Sequence, residues 1–376
     1  MENRKKNFLS AAFTLTGTII GAGILGLPYV FAQSGFFAGL FWLVFLGVVM
    51  IFINLWMGEI TLRTKSIHQL PGYANKYLGS KGRRLMFLSI MLGIYSALLA
   101  YLIGEGQSLS RLFFGGTDYA LFFGIGFWFL MTILLHGGIQ RLKSIEFWGV
   151  FLIIVAIISI FVILLPDVNS ANVLSINKSG FFIPFGVVLF SLLGFASIPE
   201  LRQEVDKDRK ILKGSIILGV LIPIVLYILF SFVFVGTLGS NVSEVATLSF
   251  DGLFGRILLL LGIFTMLTSF FVLSFSLKDY FIYDLKKKKS ILFYVSIVPL
   301  ILYLLVSLFD LAGFIRVLGI GGAVSGGLAG ILILLMNKKA KEKGDLKPEY
   351  SVPINWFIIL LLSLIFFAGI IFEVFL

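Results

Sequence analysis

The sequence predicts an all-helical protein that is embedded in a membrane through eleven transmembrane helices. Of its 376 residues, 59% are hydrophobic and 13% are charged, whereas about 25% of the residues in a soluble domain are charged. The stretch from Phe8 to Gly35 carries no charge and exceeds the roughly 20 residues that a helix needs to cross a bilayer. Such runs are also much longer than the roughly 10 residues of a membrane β-barrel strand.

Clusters of charged residues divide the chain into eleven apolar runs, which we interpret as successive spans. With a cytoplasmic N-terminus, the inside connections contain every Lys and Arg residue except Arg111, Lys178, Arg256 and Arg316. This asymmetry predicts a protein integral to the cell membrane, with its N-terminus inside and its C-terminus outside. The net charge of +11 then faces an anionic leaflet and requires no nucleic acid. The predicted spans are 8–34, 36–62, 85–113, 119–136, 144–166, 178–200, 214–236, 253–283, 291–309, 311–336 and 353–375.

The first predicted span contains an unusual density of residues that disfavour a helix. Residues 21–26 read GAGILG and match the dinucleotide-binding pattern G-x-G-x-x-G, but they lie in an apolar run and not in a soluble strand–turn–helix unit. In a helix, Gly costs about 1 kcal/mol and Pro about 3 kcal/mol relative to Ala. The cluster favours a helix that is broken in mid-membrane, and close helix packing through small residues is the alternative. Its members are Gly17, Gly21, Gly23, Gly26 and Pro28.

A second interruption lies in the sixth span, where Gly194 and Pro199 occur within FFIPFGVVLFSLLGFASIPELR, residues 181–202. Discontinuous helices at matching places in two halves of a chain are typical of transporters that are built from inverted repeats. We therefore predict a 5+5 inverted repeat with broken helices 1 and 6. Residues 1–176 form the first repeat and 177–337 the second, and 338–376 add a cytoplasmic basic loop and an eleventh helix.

Three segments resemble signatures of the aromatic and hydroxy amino acid permeases, a family of the amino acid/auxin permease group in the amino acid–polyamine–organocation superfamily. They are GTIIGAGILGLP (17–28), GFASIP (194–199) and TSFFVLSFSLKDYFIYDL (268–285). The resemblance implies the fold of the bacterial leucine transporter and transport by alternating access. It also implies import of a neutral amino acid, aromatic or hydroxy, by cation symport.

The breaks also predict how a substrate is bound. Free N–H groups at a helix N-terminus attract anions, so a break at 21–24 would offer those of Ala22, Gly23 and Ile24 to an α-carboxylate. Freed carbonyls near Thr18 and Gly194 suit an α-ammonium. Tyr101 is placed like the tyrosine that reaches the carboxylate in the leucine transporter. The predicted substrate site is completed by Gly21, Phe190, Phe195 and Ala196.

Two coupling ions are possible, and the resemblance to this family favours protons. By analogy with the leucine-transporter fold, a sodium ion would bind five oxygens between the helix 1 break and helix 8. They are the carbonyls of Gly17, Ile20 and Thr265 and the hydroxyls of Thr268 and Ser269. Thr and Ser hydroxyls in apolar helices also commonly cap the backbone.

Proton coupling requires a titratable group, and Glu59 and Glu105 are the candidates because carboxylates inside a membrane are costly. Glu105 lies one helical turn beyond Tyr101, on the same face. For Glu59, an anchor at the cytoplasmic interface is the alternative.

Two other functional classes remain open at this stage, a channel and a membrane-embedded transferase. A channel would need a ring of carbonyls or acidic side chains, and two broken helices suit alternating access better. A transferase would need clustered His, Asp or Glu at a membrane face, whereas the chain has two isolated histidines and no cysteine. We therefore predict no enzymatic activity and no cofactor. The expected partners are an amino acid, H⁺ or Na⁺, and the lipid bilayer.

Overall fold

The computed structural model describes residues 2–136, 143–177, 179–206, 208–281 and 291–375. These residues form helices and short irregular segments, and none of them forms a strand. The helices are α1 (Glu2–Ile19), α2 (Gly23–Ser34), α3 (Phe36–Arg63), α4 (Leu70–Phe114), α5 (Ala120–His136), α6 (Lys143–Leu164), α7 (Ser170–Val173), α8 (Pro184–Ser191), α9 (Ile198–Glu204), α10 (Leu212–Leu238), α11 (Gly252–Asp279), α12 (Val298–Leu308), α13 (Phe314–Ile320), α14 (Gly327–Lys343) and α15 (Trp356–Phe375).

The described helices confirm an all-helical integral membrane protein. Eight helical stretches are long and apolar enough to cross a membrane, and nine if the bent pair α1 and α2 counts as one span. Two of the eight contain two α-helices each, since Pro184–Glu204 combines α8 with α9 and Phe314–Lys343 combines α13 with α14. The two shorter apolar helices Ala120–Leu135 and Phe293–Leu308 occupy the places of the predicted fourth and ninth spans. The count of eleven, the inverted repeat and the three predicted divisions of the chain stay predictions. Residues 137–142 and 282–290 between predicted spans, and Lys178, lie outside the described residues.

Two glycines with positive φ determine where helices change direction. Gly35 has φ 86° and is the only residue between α2 and α3. Gly79 has φ 76° and separates residues 70–78 from the long remainder of α4. Because L-residues with a side chain rarely adopt these angles, glycine is the residue that permits both corners.

The interrupted helices lie in the centre of the molecule. Helix α4 packs against α5, α11 and α14, α1 packs along α10, and α8 packs on the segment Gly321–Gly326 between α13 and α14. The spans Pro184–Glu204 and Phe314–Lys343 are the most buried within the protein, whereas α15 and residues 149–167 are the least. The eleventh predicted helix is therefore peripheral to the broken ones.

A buried carboxylate joins the end of α3 to the end of α14. The Glu59 carboxylate has no exposed surface and accepts hydrogen bonds from Arg63 Nε (2.9 Å), Lys341 Nζ (2.9 Å), Ser351 Oγ (2.8 Å) and the Val352 N–H (2.9 Å). Two cations and two neutral donors thus satisfy one charge. We call these five residues the Glu59 cluster.

A second acidic residue fixes the same connection at the surface. Asp345 accepts a hydrogen bond from the Lys65 N–H at 3.0 Å and forms an ion pair with Lys76. Its own N–H and that of Leu346 donate to the Arg63 carbonyl at 2.8 and 3.1 Å. The Lys65 N–H and the Lys76 ammonium hold the pKa of Asp345 below its usual range, so Asp345 stays ionised and the segment after α14 stays attached to the end of α3 near neutral pH.

We expect Glu59→Ala to lower the thermal unfolding midpoint of the detergent-solubilised protein substantially. The substitution leaves Arg63 and Lys341 without their shared counter-charge, and breaking a buried ion pair costs about 3–5 kcal/mol. Glu342→Ala is the control, because Glu342 is half exposed and pairs with Lys339 at 3.6 Å, a surface contact of little energetic value. Equal midpoints for the two variants would refute the structural role of the Glu59 cluster.

Candidate functional site

The two helix breaks contact each other directly. Helix α1 ends at Ile19 and α2 begins at Gly23, with a bend of 60° between them. A Cβ added to Gly23 would lie 2.8 Å from the Ser191 Cα, and one added to Gly194 would lie 2.7 Å from Ile19 Cγ1. Glycine is therefore required here because the two broken segments approach each other closely. The structure contains both the helix break and the close packing that was its alternative.

The positions of the breaks differ slightly from those predicted. The first covers residues 20–22, so that α2 already begins at Gly23. The second covers residues 192–194 and is followed by a 3₁₀ turn at Phe195–Ser197. Pro199 does not interrupt a helix but lies in the first turn of α9, where its missing N–H costs nothing because that position has no intrahelical acceptor.

The first break leaves backbone groups without backbone partners. The N–H of Ile24 donates to the Gly21 carbonyl at 3.4 Å, and that of Leu25 donates to the Ala22 carbonyl at 3.0 Å. Among the described residues, no backbone carbonyl accepts from the N–H groups of Gly21 or Gly23. These two donors are the ones that remain for a ligand, while the predicted Ile24 donor is already used.

Tyr227 on α10 connects the two breaks. Its side chain is fully buried, and its hydroxyl lies 2.9 Å from the carbonyl oxygens of both Ile19 and Ser191. These carbonyls are the ones that each helix exposes where it ends. The sequence does not single out this residue, and its only signal is a tyrosine in the middle of a largely apolar span.

A cavity of about 250 Å³ lies beside the breaks, and no charged side chain of the described residues lines it. Helices far apart in the chain contribute Ile94, Val150, Ser325 and Ala329, which the sequence did not single out. Only the residues on α4 could have been found, since they lie on the helical face of Tyr101. The predicted residues in its lining are Gly17, Thr18, Ile20, Gly21, Gly23, Tyr101, Phe190, Gly194, Phe195, Ala196, Thr268 and Ser269.

Five of the predicted residues do not line this cavity. Ala22 and Ile24 are buried beside it, and Thr265 is buried with its hydroxyl donating to the Leu261 carbonyl at 2.8 Å. Glu59 lies in its own cluster at the end of α3. Glu105 lies on the wall of a second cavity.

Tyr101 reaches the first break. Its hydroxyl is hydrogen-bonded to the backbone of Ala22 and to the side chain of Ser269. A Cβ added to Gly21 would lie 3.1 Å from that hydroxyl and 3.8 Å from Ser269 Oγ. In this structure, Tyr101 thus contacts the Ala22 backbone, whose N–H group was predicted to bind the α-carboxylate of the substrate.

The oxygens predicted for a sodium ion have other hydrogen bonds. The Thr268 hydroxyl donates to the carbonyls of Phe264 and Thr265, each at 3.0 Å, and Ser269 is paired with Tyr101. For Thr268, this is the backbone-capping alternative. Gly17 packs against α6, because a Cβ on Gly17 would lie 2.4 Å from Val150 Cγ2.

Glu105 has the opposite environment to Glu59. It is fully buried, and neither of its carboxyl oxygens has a hydrogen-bond partner among the described residues. It lines a cavity of about 460 Å³ whose other walls are apolar, including Phe123, Phe127 and Leu267. An ionised carboxylate that is buried without a partner is very costly, so this environment suits the neutral acid.

The fold, with its cavity at two helix breaks, is of the leucine-transporter type. A solved structure described as MhsT in complex with L-phenylalanine aligns with a TM-score of 0.67 at 20% identity, over 98% of this chain and 97% of that one. The inward-facing conformation of Mhp1 aligns with a TM-score of 0.65 at 14% identity, over 97% and 88% of the two chains. Both likenesses concern the fold.

The chain belongs to the tryptophan/tyrosine permease family, whose model matches residues 4–375. It is 28% identical to Tyrosine-specific transport system 1 of Haemophilus influenzae, over 62% of this chain and 58% of that protein. It is 25% identical to Glutamine transporter 2 of Aliivibrio fischeri, over 61% of each. The matches thus span about three fifths of these relatives. The family is one of permeases, and both relatives are named as transporters and not as enzymes.

We expect Tyr227→Phe to destabilise the protein by about 1–3 kcal/mol, the cost of leaving buried polar groups without a partner. The substitution removes the hydroxyl that donates to the Ile19 and Ser191 carbonyls, and it leaves the rest of the side chain in place. Thermal unfolding in detergent measures the effect. Tyr119→Phe is the matched control because Tyr119 is 47% exposed. If both variants unfold at the same temperature, the bridge between the breaks contributes no stability.

Proposed function

We propose that this permease imports a neutral aromatic amino acid by alternating access and that protons drive the uptake. The observation that carries the proposal is the meeting of the two breaks, Tyr101 and an uncharged cavity at one place. An amino acid zwitterion carries one positive and one negative charge, and backbone dipoles can bind both without fixed charges in the protein. The absence of charged residues from the described lining of the cavity fits such a ligand.

The α-carboxylate would bind at the start of α2. The N–H groups of Gly21 and Gly23 have no backbone partner there, and the Tyr101 hydroxyl lies within reach of the same place. The carbonyls at the end of α1, near Thr18 and Ile20, would accept from the α-ammonium. The Gly194 carbonyl is a weaker candidate, because the Ser197 hydroxyl already donates to it at 2.9 Å.

The cavity wall supports an aromatic side chain. Phe190 and Phe195 line it together with aliphatic residues of α4 and α11, and apolar walls favour a large apolar side chain. The similar proteins agree with this choice in part, since one relative is a tyrosine transport system and one structural neighbour was solved with L-phenylalanine. A glutamine transporter among the relatives makes glutamine the competitor to test.

We expect Tyr101→Phe to raise the KM for tyrosine uptake by about tenfold or more, because a hydrogen bond to a charged group contributes roughly 1.5–3 kcal/mol. Purified protein in proteoliposomes is assayed with radiolabelled tyrosine, phenylalanine and glutamine. Tyr95→Phe is the control, since this tyrosine lies on the same helix, donates to the Tyr294 carbonyl at 3.0 Å and does not line the cavity. Unchanged uptake by Tyr101→Phe would remove the carboxylate site from this position.

Proton coupling is supported by the environment of Glu105. This residue lies one turn from Tyr101 on α4, so a proton bound there is adjacent to the residue that contacts the first break. Among the described residues, its carboxyl group has no ion-pair partner that would fix its charge, whereas Glu59 has two cationic partners. Among the two candidates, we therefore assign the coupling role to Glu105 and the anchoring role to Glu59.

Sodium coupling is the alternative, with Gly17, Ile20, Thr265, Thr268 and Ser269 as the ligand set. The two hydroxyls can still accept an ion through their lone pairs while they donate to carbonyls. The set lies between α1 and α11, beside the cavity. Uptake that saturates with external Na⁺, and that weakens in Thr268→Ala, is the signature of this alternative.

Uptake in sodium-free buffer distinguishes the two ions. We expect an inward pH gradient alone to drive concentrative uptake, and Glu105→Gln to abolish accumulation while still permitting exchange of labelled for unlabelled substrate. Glu59→Gln, compared per folded protein, should still accumulate substrate because Glu59 is not the coupling group. Absence of uptake until Na⁺ is added would contradict the proton mechanism.

We also propose how the chain is oriented in the membrane and that it consists of two inverted repeats. The cationic ends of α3 and α14 would face the cytoplasm, as would the Glu59 cluster, and the C-terminus would lie outside the cell. The two breaks fall in the first and sixth predicted spans, which is the relation expected of two inverted five-helix repeats. Rocking of one group of helices around the breaks would then expose the cavity to each side in turn.

A further inference from the structure

A π-helix interrupts the tenth predicted span. Residues Gly321–Gly326 form π-helical turns between α13 and α14, an arrangement that is rare and is often found at functional sites. The segment is fixed by close packing, since a Cβ on Gly322 would lie 2.2 Å from the Gly186 carbonyl oxygen and 2.6 Å from the Phe190 nitrogen. The Ser89 hydroxyl donates to the Ser325 carbonyl at 2.7 Å and holds the end of the segment on α4.

The Ser325 side chain differs from the other hydroxyls of the substrate cavity. It lines the cavity and is 4% exposed, and its Oγ has no hydrogen-bond partner among the described residues. The cavity hydroxyls of Thr18, Ser191 and Thr268 donate to carbonyls of their own helices, and those of Tyr101 and Ser269 pair with each other. Because buried polar groups are normally hydrogen-bonded, the free hydroxyl of Ser325 points to a ligand.

The position of Ser325 relative to Tyr101 defines what that ligand group is. A Cβ added to Gly93 would lie 2.3 Å from Ser325 Oγ, so the serine faces α4 at Gly93, eight residues before Tyr101. Eight residues correspond to about 12 Å along a helix, and the Tyr101 side chain leans toward the N-terminus of α4, which shortens the distance. The wall between the two hydroxyls is apolar and contains Ile94 and Ala97.

We propose that Ser325 is a specificity-determining residue that hydrogen-bonds the phenolic hydroxyl of a tyrosine substrate. This inference rests on the proposed function, in which the amino and carboxyl groups bind at the helix breaks and the aromatic ring extends along α4. Phenylalanine fills the same space but leaves the Ser325 hydroxyl unpaired. A site built to bind a hydroxyl group disfavours the analogue that lacks it.

The test compares tyrosine and phenylalanine in the same vesicles. Purified wild-type protein and Ser325→Ala are reconstituted, and each amino acid is measured both by direct uptake and as a competitor of the other. We expect Ser325→Ala to raise the KM for tyrosine about tenfold and to leave the KM for phenylalanine unchanged or lower. The ratio of the two constants is the readout, because a general loss of folding or activity cannot change it.

Two further variants separate a specific contact from a packing effect. Ser96→Ala is the control, since Ser96 contacts Gly321 of the same π-helix but does not line the cavity, and it should leave the ratio unchanged. Gly93→Ala places a methyl group against Ser325 Oγ and should shift the ratio in the same direction as Ser325→Ala. Stabilisation of detergent-solubilised protein by tyrosine and phenylalanine gives a second measurement that does not depend on transport.

The outcomes distinguish this inference from the proposed function. If wild-type protein takes up both amino acids but Ser325→Ala changes both constants by the same factor, or neither, the role of Ser325 is refuted and the function stands. If wild-type protein neither takes up nor is stabilised by either aromatic amino acid, the proposed substrate class fails, and the assignment of Ser325 fails with it.

Discussion

The structure depends on one constraint, which is that polar backbone groups inside a membrane need partners. Two helices of this permease stop in the middle of the protein, where lipid can satisfy neither the N–H groups nor the carbonyls that a helix end exposes. The ends at Ile19 and Ser191 are buried against each other, and Tyr227 provides a hydroxyl for both. The two helix breaks can therefore lie in a folded core, while some backbone N–H groups at the first break stay available for a ligand.

The partners at the breaks are neutral and exchangeable, which fits the transport cycle that we propose. The Tyr101 hydroxyl is hydrogen-bonded to the Ala22 backbone and to the Ser269 side chain. A fixed charge at the same place would attract one charged group of a zwitterion strongly and repel the other. Hydroxyl and backbone groups can instead transfer their hydrogen bonds to a substrate and take them back after its release, at a small net change in free energy.

The two buried glutamates show how position decides the role of one residue type. Glu59 accepts from two cations, a hydroxyl and a backbone N–H, so its charge is neutralised and its place is fixed. Among the described residues, Glu105 has no partner for either oxygen, and it faces an apolar cavity. Both are buried acids in a helix, but the first joins three segments of the chain and the second is the one that we propose as the proton-binding group.

The sequence by itself determined the membrane-embedded helices, both breaks to within a few residues, and the placement of Tyr101 beside the first break. These features are encoded locally, because hydrophobic length selects a span and glycine disfavours a helix wherever it lies. Only the tertiary structure decided that Pro199 begins a helix, that Tyr227 joins the breaks, that Glu59 has two cationic partners while Glu105 has none, and that Ser325 faces the cavity. Each of these depends on which helices meet and on which of their faces do so. That choice is made by packing among residues far apart in the chain, such as Glu59 and Lys341, which are separated by 282 positions, and a single apolar sequence contains too little contrast between its faces to predict it.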